Sequence, residues 1–400
     1  MDGHLILLRF VSSQKENTVN IGFIIEHLDP RRGGAETYIA QLSAELLRRG
    51  HTVHAFVQSA SQGLPEGLQV HTIAVAGLGK GPRLLSFDKQ SAAVAKRYDL
   101  DVAMAVGKTH FMNVFQPHGG TYRATLKQTA ASRHAGVVRR ALSALSPRRM
   151  IYLYMERRQY RHPERCVYVA ISEMVKADMM RYYRVPEDRI ALVYNGVDTE
   201  RFSPNRRSLV RDDVRRTLSV THDQVMLLMV AHNFRLKGVQ QAIAALSRVG
   251  RLHRNRFRLV VVGKGRRRPY VGLAHELGLS DQVRFTGAVT HVEDYYAAAD
   301  AYVQPTFYDP CSLVVLEALA SGLPTITTRY NGASELMEHG REGYILDHPD
   351  HVDTLAEHFE QLLDGDLRHR MGEAARAVAE RHSLSRNYEE MIAVFERAGG

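Results

Sequence analysis

The strongest constraint on the fold is a repeated alternation of hydrophobic, β-rich runs with helical patterns. It begins with NIGFIIEHL at Asn20, which is followed by a helical pattern from Ala35 to Arg49. It restarts at VMLLMVA, residues 225–231, and continues to PTITT, residues 324–328. Strands that alternate with helices build parallel sheets covered on both faces. The sequence therefore predicts an α/β protein with two doubly wound, Rossmann-like domains.

Chain length and one turn-rich segment predict the domain boundaries. Four hundred residues, 44% hydrophobic and 24% charged, suit two globular domains. The segment VYNGVDTERFSPN, residues 193–205, is rich in turn residues and contains Pro204, as is typical of a linker. We predict an extension without assigned function over residues 1–19, an N-terminal Rossmann-like domain over 20–200, a C-terminal Rossmann-like domain over 201–385, and a helix over 386–400 that packs back on the N-terminal domain.

Cysteine content and hydropathy indicate the compartment. Cys166 and Cys311 are too far apart in sequence to form a disulfide framework, a redox pair or a thiolate metal site by themselves. No apolar run approaches the roughly 18 residues of a membrane-spanning helix, and LILLRFV near the N-terminus lacks a cleavage site. We expect a soluble cytoplasmic protein without a signal peptide.

The segment TFYDPCSLVVLEALASGLP, residues 306–324, carries the clearest binding motif. Asp309 and Glu317 are eight positions apart, so one lies on the loop after a strand and the other lies about a turn into the next helix. A helix that begins near Ser312 directs free N–H groups and its positive dipole end at the same point, which suits a phosphate. Open α/β sheets bind ligands at this carboxyl edge. An ordinary capped helix with a buried Glu317 is the structural alternative.

This segment resembles the signature of glycosyltransferase family 4, a GT-B fold family in which two acids separated by seven residues flank a glycine-rich loop. The resemblance implies that Asp309 approaches the donor sugar and that Glu317 hydrogen-bonds the ribose hydroxyls. Two departures affect the identity of the sugar: Asp309 stands where Glu is usual, and Pro310-Cys311 replaces Gly-Phe. By the same resemblance, the loop residues that hold the sugar and diphosphate are Cys311, Ser312, Leu313 and Val314.

A second motif, MVAHNFRLKG at residues 229–238, supplies two cations. Arg235 and Lys237 can neutralise a departing diphosphate, which is the main electrostatic requirement of glycosyl transfer without a metal. Lys237 and the glycine after it resemble the family's Lys-Gly element. The family's usual arginine is His232 here, so we predict that Arg235 replaces it; two solvated surface charges are the alternative.

Glycines and one histidine at strand ends complete the predicted site. Gly33 and Gly34 separate the first strand from the first helix, where glycine lets the backbone approach a ligand. They resemble the family loop that borders the donor phosphate and the acceptor, and His118 resembles the histidine near the donor sugar's reactive face. A structural turn and a structural histidine are the alternatives. VVVGKG, with Gly263, and VRFTGAV, with Gly287, resemble the strand ends that border the nucleotide.

The interdomain stretch of residues 167–204 also resembles this family, and the resemblance spans residues 20 to about 388. It implies that the two domains face each other across a cleft, with the acceptor on the N-terminal domain and the nucleotide-sugar donor on the C-terminal domain. It also implies that no cofactor or metal is needed, since the nucleotide-sugar is a substrate. Two Asp-x-Asp tripeptides, at residues 99–101 and 364–366, fit solvated loop acids better than a metal site. The chain has neither a Walker P-loop nor G-x-G-x-x-G, which argues against nucleoside triphosphate and NAD chemistry.

The positive charge of the chain is concentrated in one segment. Net charge is +10, and residues 120–166 hold eleven Lys or Arg against two acids, a net +9. Apolar residues at helical spacing among the arginines suit an anionic membrane surface, at about 1 kcal/mol per basic residue, or an anionic acceptor; a solvated helix face fits equally. Nucleic acid is disfavoured because the arginines are not interleaved with the motifs of known readers. The predicted membrane or acceptor residues are Arg139, Arg140, Arg148 and Arg149.

We therefore predict a retaining, metal-independent hexosyltransferase that uses a nucleotide diphosphate sugar, with UDP favoured over GDP. The expected acceptor is a glycan or glycolipid such as cell-envelope polysaccharide or lipopolysaccharide core, reached from the inner face of the cytoplasmic membrane. A nucleotide-sugar epimerase of the same fold is one alternative; it would need acid/base groups around the sugar and no acceptor. Release of free nucleotide diphosphate only when an acceptor is supplied would distinguish the transferase from it. A non-enzymatic anion or nucleic-acid binder is another, and it would bind nucleic acid in a salt-sensitive way without nucleotide-sugar affinity.

Overall fold

The computed structural model describes residues 18–131, 146–161 and 163–399. Most of the predicted N-terminal extension, and both Arg139 and Arg140, lie outside these residues. Within them the chain forms two large parallel sheets and one additional pair of short strands. No helix in these ranges is both long enough and apolar enough to span a bilayer.

The first sheet has seven strands in the order β5-β3-β1-β6-β7-β8-β9, and all of its pairs are parallel. The chain enters at its centre and winds outward in both directions, as the alternating pattern predicts. Its strands are β1 (Asn20–Ile24), β3 (Thr52–Val57), β5 (Gln69–Thr72), β6 (Val102–Ala105), β7 (Val114–Phe115), β8 (Val167–Ala170) and β9 (Ile190–Leu192), while β2 (His27–Leu28) and β4 (Ser59–Ala60) form the short pair. The helices of this half are α1 (Gly34–Arg48), α2 (Lys80–Ala95), α3 (Tyr122–Ala131), α4 (Pro147–Gln159) and α5 (Glu173–Tyr183).

The second sheet has six parallel strands in the order β12-β11-β10-β13-β14-β15. Its first strand, too, is central, so this half repeats the winding of the first. The strands are β10 (Val225–Val230), β11 (Phe257–Val262), β12 (Val283–Gly287), β13 (Ala301–Val303), β14 (Thr325–Thr328) and β15 (Gly343–Leu346). The helices are α6 (Arg207–Thr217), α7 (Val239–Arg248), α8 (Arg251–Arg254), α9 (Arg268–Glu276), α10 (Val292–Ala298), α11 (Leu313–Ala320), α12 (Val352–Gln361), α13 (Gly365–Arg381) and α14 (Leu384–Gly399), with short 3-10 turns at Pro163–Arg165, Glu187–Arg189, Pro204–Arg206 and Gly332–Leu336.

The last helix, α14, returns to the first sheet. Its apolar side chains Met391 and Phe395 belong to the same buried cluster as the strands β1, β3 and β6. The rings of Phe395 and Phe23 meet edge to face at 6.3 Å between centroids. Because apolar residues recur every three or four positions in this segment, one face of α14 covers the sheet and the other stays exposed.

The chain crosses between the two halves twice, and the two crossings lie side by side. The N–H of Val197 donates to the carbonyl of His382 at 3.0 Å, and the N–H of Leu384 donates back to Val197 at 3.0 Å. A Cβ on Gly196 would lie 2.8 Å from the carbonyl oxygen of Ser383. The absence of a side chain at Gly196 therefore allows the crossings to touch.

Two strands are shorter than the hydrophobic runs suggest. Only Gln69–Thr72 of the run LQVHTIAV pairs as β5, and this strand is mostly exposed because it is an edge of the sheet. Strand β7 stops at Phe115, just before Gln116-Pro117. Proline has no N–H for a sheet hydrogen bond, so the run FMNVFQPH cannot extend the ladder through it.

Candidate active site

Asp309 lies on the loop that follows β13, at the carboxyl end of the second sheet. Its N–H donates to the carbonyl of Tyr330, and its carbonyl accepts from the N–H of Gly332, both at 2.9 Å. The ammonium of Lys237 donates to its carboxylate. The two side chains are only 13% and 20% exposed. The structure therefore brings the predicted sugar-side acid and the predicted diphosphate cation into direct contact.

Glu317 lies a little over one turn into α11, on the same side of the sheet. The hydroxyl of Tyr296 donates to its carboxylate at 2.8 Å. Burial raises the pKa of Glu317 to about 7, while the hydrogen bond from Tyr296 acts in the opposite direction. This carboxyl group therefore changes charge near neutral pH, unlike an exposed glutamate.

The start of α11 offers unused amide donors. Ser312 is already engaged, because its hydroxyl donates to Gln304 at 3.0 Å and its N–H donates to the side chain of Asn331 at 3.2 Å. The next two amides, of Leu313 and Val314, have no acceptor among the described residues. Free amides at a helix start attract an anion.

Cys311 contributes to the site through its backbone only. Its side chain belongs to a hydrophobic cluster and is 4% exposed. Burial raises the pKa of its thiol to about 12, and its carbonyl accepts a hydrogen bond from the side-chain amide of Asn195 at 2.8 Å. Since Asn195 lies in the first crossing segment, this bond ties the loop to the linker.

Gly263 and Gly287 end two neighbouring strands, β11 and β12. Gly263 has a φ of +133°, and a Cβ there would lie 1.8 Å from the carbonyl oxygen of Ala231. Its N–H donates to the carbonyl of Gly287 at 2.8 Å. A side chain at position 263 would force apart the ends of β10 and β11, so glycine allows the two strand ends to stay in contact.

Two glycine loops of the first half touch the second half at this site. A Cβ on Gly34 would lie 2.8 Å from a methyl group of Leu313. Gly120 has a φ of +66°, and a Cβ there would lie 2.4 Å from the hydroxyl of Tyr308. Gly33, just before α1, has an extended backbone. The loops after β1 and β7 thus meet residues 308–313 around the Lys237–Asp309 pair.

His118 follows β7 in the second of these loops. Its ring lies 5.1 Å from that of Tyr38, between centroids. Burial lowers the pKa of His118 to about 4, so the imidazole is neutral at physiological pH. Its Nε2 is shielded from solvent and has no hydrogen-bond partner in the part of the chain that the structure describes. The protein therefore leaves one nitrogen of this neutral imidazole without a hydrogen bond to the described residues.

Arg235 is placed differently from Lys237. It is exposed and lines a cavity of about 740 Å³ together with His232 and Tyr270. Its charge partly offsets the rise that burial causes in the pKa of the Tyr270 phenol. The structure brings Lys237, but not Arg235, against Asp309, so the two cations of this motif face different parts of the cleft.

The described part of the predicted membrane or acceptor set lies at the start of α4. Arg148 is exposed, with its guanidinium 5.4 Å from the ring centroid of Tyr152, and Arg149 is partly buried. Neither residue contributes to the Lys237–Asp309 pair. Their role remains the prediction made from charge.

The acids of the two Asp-x-Asp tripeptides have backbone partners. Asp101 accepts a hydrogen bond from the N–H of Asn20 at 2.8 Å. Asp364 caps α13 by accepting from Asp366 and Leu367. Within residues 18–131, 146–161 and 163–399, no three His, Cys, Asp or Glu side chains are grouped as metal ligands would be.

Sequence reasoning missed several residues that shape the site. Asn331 bonds to the start of α11, and Tyr296 bonds to Glu317. Glu335 accepts from the N–H groups of Glu173 and Met174, at 2.7 and 2.8 Å, and so caps α5 of the other half. The Asn331-Gly332 dipeptide is a turn signal that points to the first of these, but no local pattern marks the other two.

Comparison with known proteins agrees with this architecture. Residues 210–378 match the family model described as Glycosyl transferases group 1, and residues 32–201 match the model described as Glycosyltransferase Family 4. An uncharacterized glycosyltransferase of Methanocaldococcus jannaschii is 29% identical over 240 residues, which are 59% of this chain and 61% of that protein. The lipopolysaccharide glucosyltransferase WaaG of Escherichia coli K12 is 23% identical over 353 residues, 88% of this chain and 92% of the relative.

Solved structures share the whole fold. A crystal structure of WaaG superposes with a TM-score of 0.81 at 23% identity, over 94% of this chain and 99% of that one. Anabaena HepE in complex with UDP and glucose superposes with a TM-score of 0.71 at 18% identity, over 94% and 99%. Because the two family models divide between them the two sheets of the GT-B fold that these structures share, the chain belongs to the GT-B glycosyltransferases of family 4.

Proposed function

We propose that this enzyme transfers a hexose from a UDP-sugar to a glycan or glycolipid acceptor, with retention of anomeric configuration and without a metal ion. The observation that carries the proposal is the meeting of both halves at one point. The glycine loops at Gly34 and Gly120 contact residues 308–313 beside the Lys237–Asp309 pair. Donor groups from one half and acceptor groups from the other can therefore reach the same bond.

The donor half supplies a place for each part of a nucleotide-sugar. Glu317 suits the ribose hydroxyls, and the free amides of Leu313 and Val314 suit a diphosphate oxygen. Lys237 adds a positive charge within reach of the same position. The complexes of HepE with UDP and glucose and the name of WaaG, a glucosyltransferase, support a UDP-hexose over other donors.

Retention in a single step requires the acceptor hydroxyl to approach the anomeric carbon of the donor sugar from the same face that the diphosphate leaves. The chief cost of that step is charge on the departing diphosphate, which Lys237 and the α11 amides can stabilise without a metal. Asp309 orients Lys237 through their ion pair. His118, which is neutral, can exchange a hydrogen bond with a sugar hydroxyl but adds no charge to the cleft.

A nucleotide-binding experiment tests the donor assignment. UDP-, GDP- and ADP-sugars are titrated calorimetrically, with EDTA present, into wild type, Glu317→Ala and the control Glu338→Ala. Glu338 is an exposed acid of the same half that pairs with Arg341. We expect UDP-sugars to bind wild type and the control, and to bind Glu317→Ala about tenfold or more weakly, since a charge-assisted hydrogen bond contributes about 1.5–3 kcal/mol. No binding of any nucleotide-sugar by wild type would end the proposal.

The acceptor side is proposed to work at an anionic membrane surface. The basic segment of residues 120–166 carries the excess charge, and WaaG is named for lipopolysaccharide. Four substitutions, Arg139, Arg140, Arg148 and Arg149 to Ala, should weaken binding to phosphatidylglycerol vesicles, since each basic residue near acidic lipid contributes about 1 kcal/mol. Co-sedimentation measures this. Unchanged vesicle binding together with unchanged transfer would remove the membrane assignment.

A further inference from the structure

A second basic pocket lies between α3, α4 and the end of α5. It has a volume of about 380 Å³ and is separate from the cavity that holds Arg235. Four cations surround a floor of apolar and aromatic side chains. The lining residues are Arg123, Lys127, Arg149 and Arg157 around Leu126, Leu153 and Tyr183.

Helical spacing explains why these side chains converge. Arg149, Leu153 and Arg157 are four residues apart and share one face of α4. Arg123 and Lys127 are likewise four apart on α3, which packs against α4. Two helix faces therefore present their cations to the same space.

Neighbouring acids neutralise only part of this positive charge. In the described residues, no salt bridge engages Arg123, Lys127 or Arg157. The guanidinium of Arg123 lies 5.2 Å from the ring centroid of Tyr182. Burial raises the pKa of Asp178 to about 6, so this carboxyl group is mostly ionised at pH 7 and offsets part of the charge of Lys127.

The buried carboxylate of Glu156 lies beside the pocket, because two of its hydrogen-bond donors belong to lining residues. It accepts hydrogen bonds from the N–H groups of Tyr122 and Arg123 and from the hydroxyl of Tyr183. It thereby ties the first turn of α3 to α4 and α5 and holds the pocket walls together. Glu156 and Asp178 are two carboxyl groups against the four cations that line the pocket, so the pocket keeps an excess of positive charge.

The pocket is close to the proposed reaction centre. Helix α3 begins two residues after Gly120, the residue that contacts Tyr308 of the donor half. Lys127 is five residues beyond Tyr122, the first residue of α3, or about 7.5 Å along the helix axis. The hydroxyl of Thr125 also donates to the carbonyl of Gly119 at 3.3 Å, so the pocket helix and the His118 loop are joined.

We propose that this pocket binds a phosphate group, either a monoester or a diphosphate, on the acceptor side of the reaction. The inference rests on the proposed function, because it makes the acceptor an anionic molecule. Arginines bind phosphate oxygens by paired hydrogen bonds, and the apolar floor accommodates the carbon skeleton beside the phosphate. The phosphate is carried either by the sugar acceptor or by a membrane lipid headgroup.

Pyrophosphate binding tests the site directly. Inorganic pyrophosphate is titrated into the full-length protein in saturating UDP, which occupies the proposed donor site, using wild type, Arg123→Gln/Lys127→Gln and the control Arg165→Gln. Arg165 belongs to the same basic segment, lies outside the pocket and is 80% exposed. We expect the double variant to bind pyrophosphate about tenfold or more weakly and the control to match wild type.

Equal pyrophosphate affinity in wild type and the double variant would overturn the proposal, as would no binding by wild type. UDP binding is measured separately on each protein. Absence of UDP binding by wild type would refute the proposed function, while a difference in pyrophosphate affinity between wild type and the double variant would still support the pocket. UDP binding by the double variant shows that this variant is folded.

Vesicles distinguish the two sources of the phosphate. Wild type and the double variant are sedimented with phosphatidylglycerol vesicles and with phosphatidylcholine vesicles. Loss of phosphatidylglycerol binding in the double variant assigns the phosphate to the lipid headgroup. Retained binding, together with weakened pyrophosphate affinity, assigns it to the sugar acceptor.

Discussion

At the scale of single residues, ionisation of the buried Glu317 destabilises the ligand-free protein. Its pKa is raised from 4.5 to about 7 by burial, so the folded protein holds this proton more tightly than the unfolded chain. The stability from that proton is present below pH 4.5 and is lost as pH rises through 7. Carboxyl groups with a strongly raised pKa are common in ligand-binding sites, where they reduce the stability of the ligand-free protein.

Glu317→Gln should therefore stabilise the ligand-free protein at pH 8 and change it little at pH 5. The gain is at most about 3 kcal/mol, from 1.36 kcal/mol per pKa unit. The amide oxygen of Gln can still accept the hydrogen bond from Tyr296. Urea denaturation at both pH values measures the difference; the same shift at pH 5 and pH 8 would show that ionisation of Glu317 is not its cause.

At the scale of elements, we predict that the loop after β7 tolerates a side chain at position 119 but not at position 120. Gly120→Ala places a Cβ 2.4 Å from the Tyr308 hydroxyl and at a φ of +66°. Left-handed backbone costs a non-glycine residue about 1–2 kcal/mol. Gly119 has no atom within 4 Å of its Cβ position, so Gly119→Ala is the matched control.

We expect Gly120→Ala to lower the melting temperature and to reduce transfer activity at least several-fold, because the contact between the halves must open. Thermal unfolding and acceptor-dependent UDP release measure the two effects. If Gly119→Ala loses as much activity as Gly120→Ala, the loop needs flexibility rather than close contact.

The elements that sequence predicts well are those with local signals. Helix α11 runs from Leu313 to Ala320 as expected, because Ser312 precedes a continuous apolar run. The extent of β5 and β7 could not be predicted, since it depends on sheet position and on Pro117. The contacts of Tyr296 and Asn331 with the site could not be predicted from local sequence patterns either. They join residues 19–21 positions apart that meet through tertiary packing.

At the scale of the whole molecule, Glu335 forms hydrogen bonds between the two halves. It caps α5 across the domain boundary and also accepts from the hydroxyl of Tyr194 at 2.9 Å. Glu335→Ala should destabilise the protein by about 1–2 kcal/mol through loss of the cap and raise the KM for the donor. Glu335→Gln should recover part of both effects, since its carbonyl still accepts one of these bonds. Glu338→Ala, an exposed neighbour, should behave like wild type in denaturation and steady-state assays.

The two-domain plan follows from sequence, because the βαβ pattern repeats on each side of residues 193–205. The relative orientation of the two halves cannot be predicted from the sequence in this way. One hydrophobic cluster runs from Tyr168 of the first sheet to Leu228 of the second, and Glu335 reaches a helix more than 150 residues away in sequence. Such contacts depend on how two finished domains meet, which no local periodicity encodes.

The burial of both cysteines has a practical consequence for studying motion between the halves. Cys166 and Cys311 are each 4% exposed, and burial raises the pKa of each thiol to about 12. Only a thiolate attacks maleimides and similar reagents, so the native chain gives little background labelling. The chain has no other cysteine. Fluorophores or spin labels attached at two introduced surface cysteines, one on each half, would report cleft closure in solution without prior removal of native thiols.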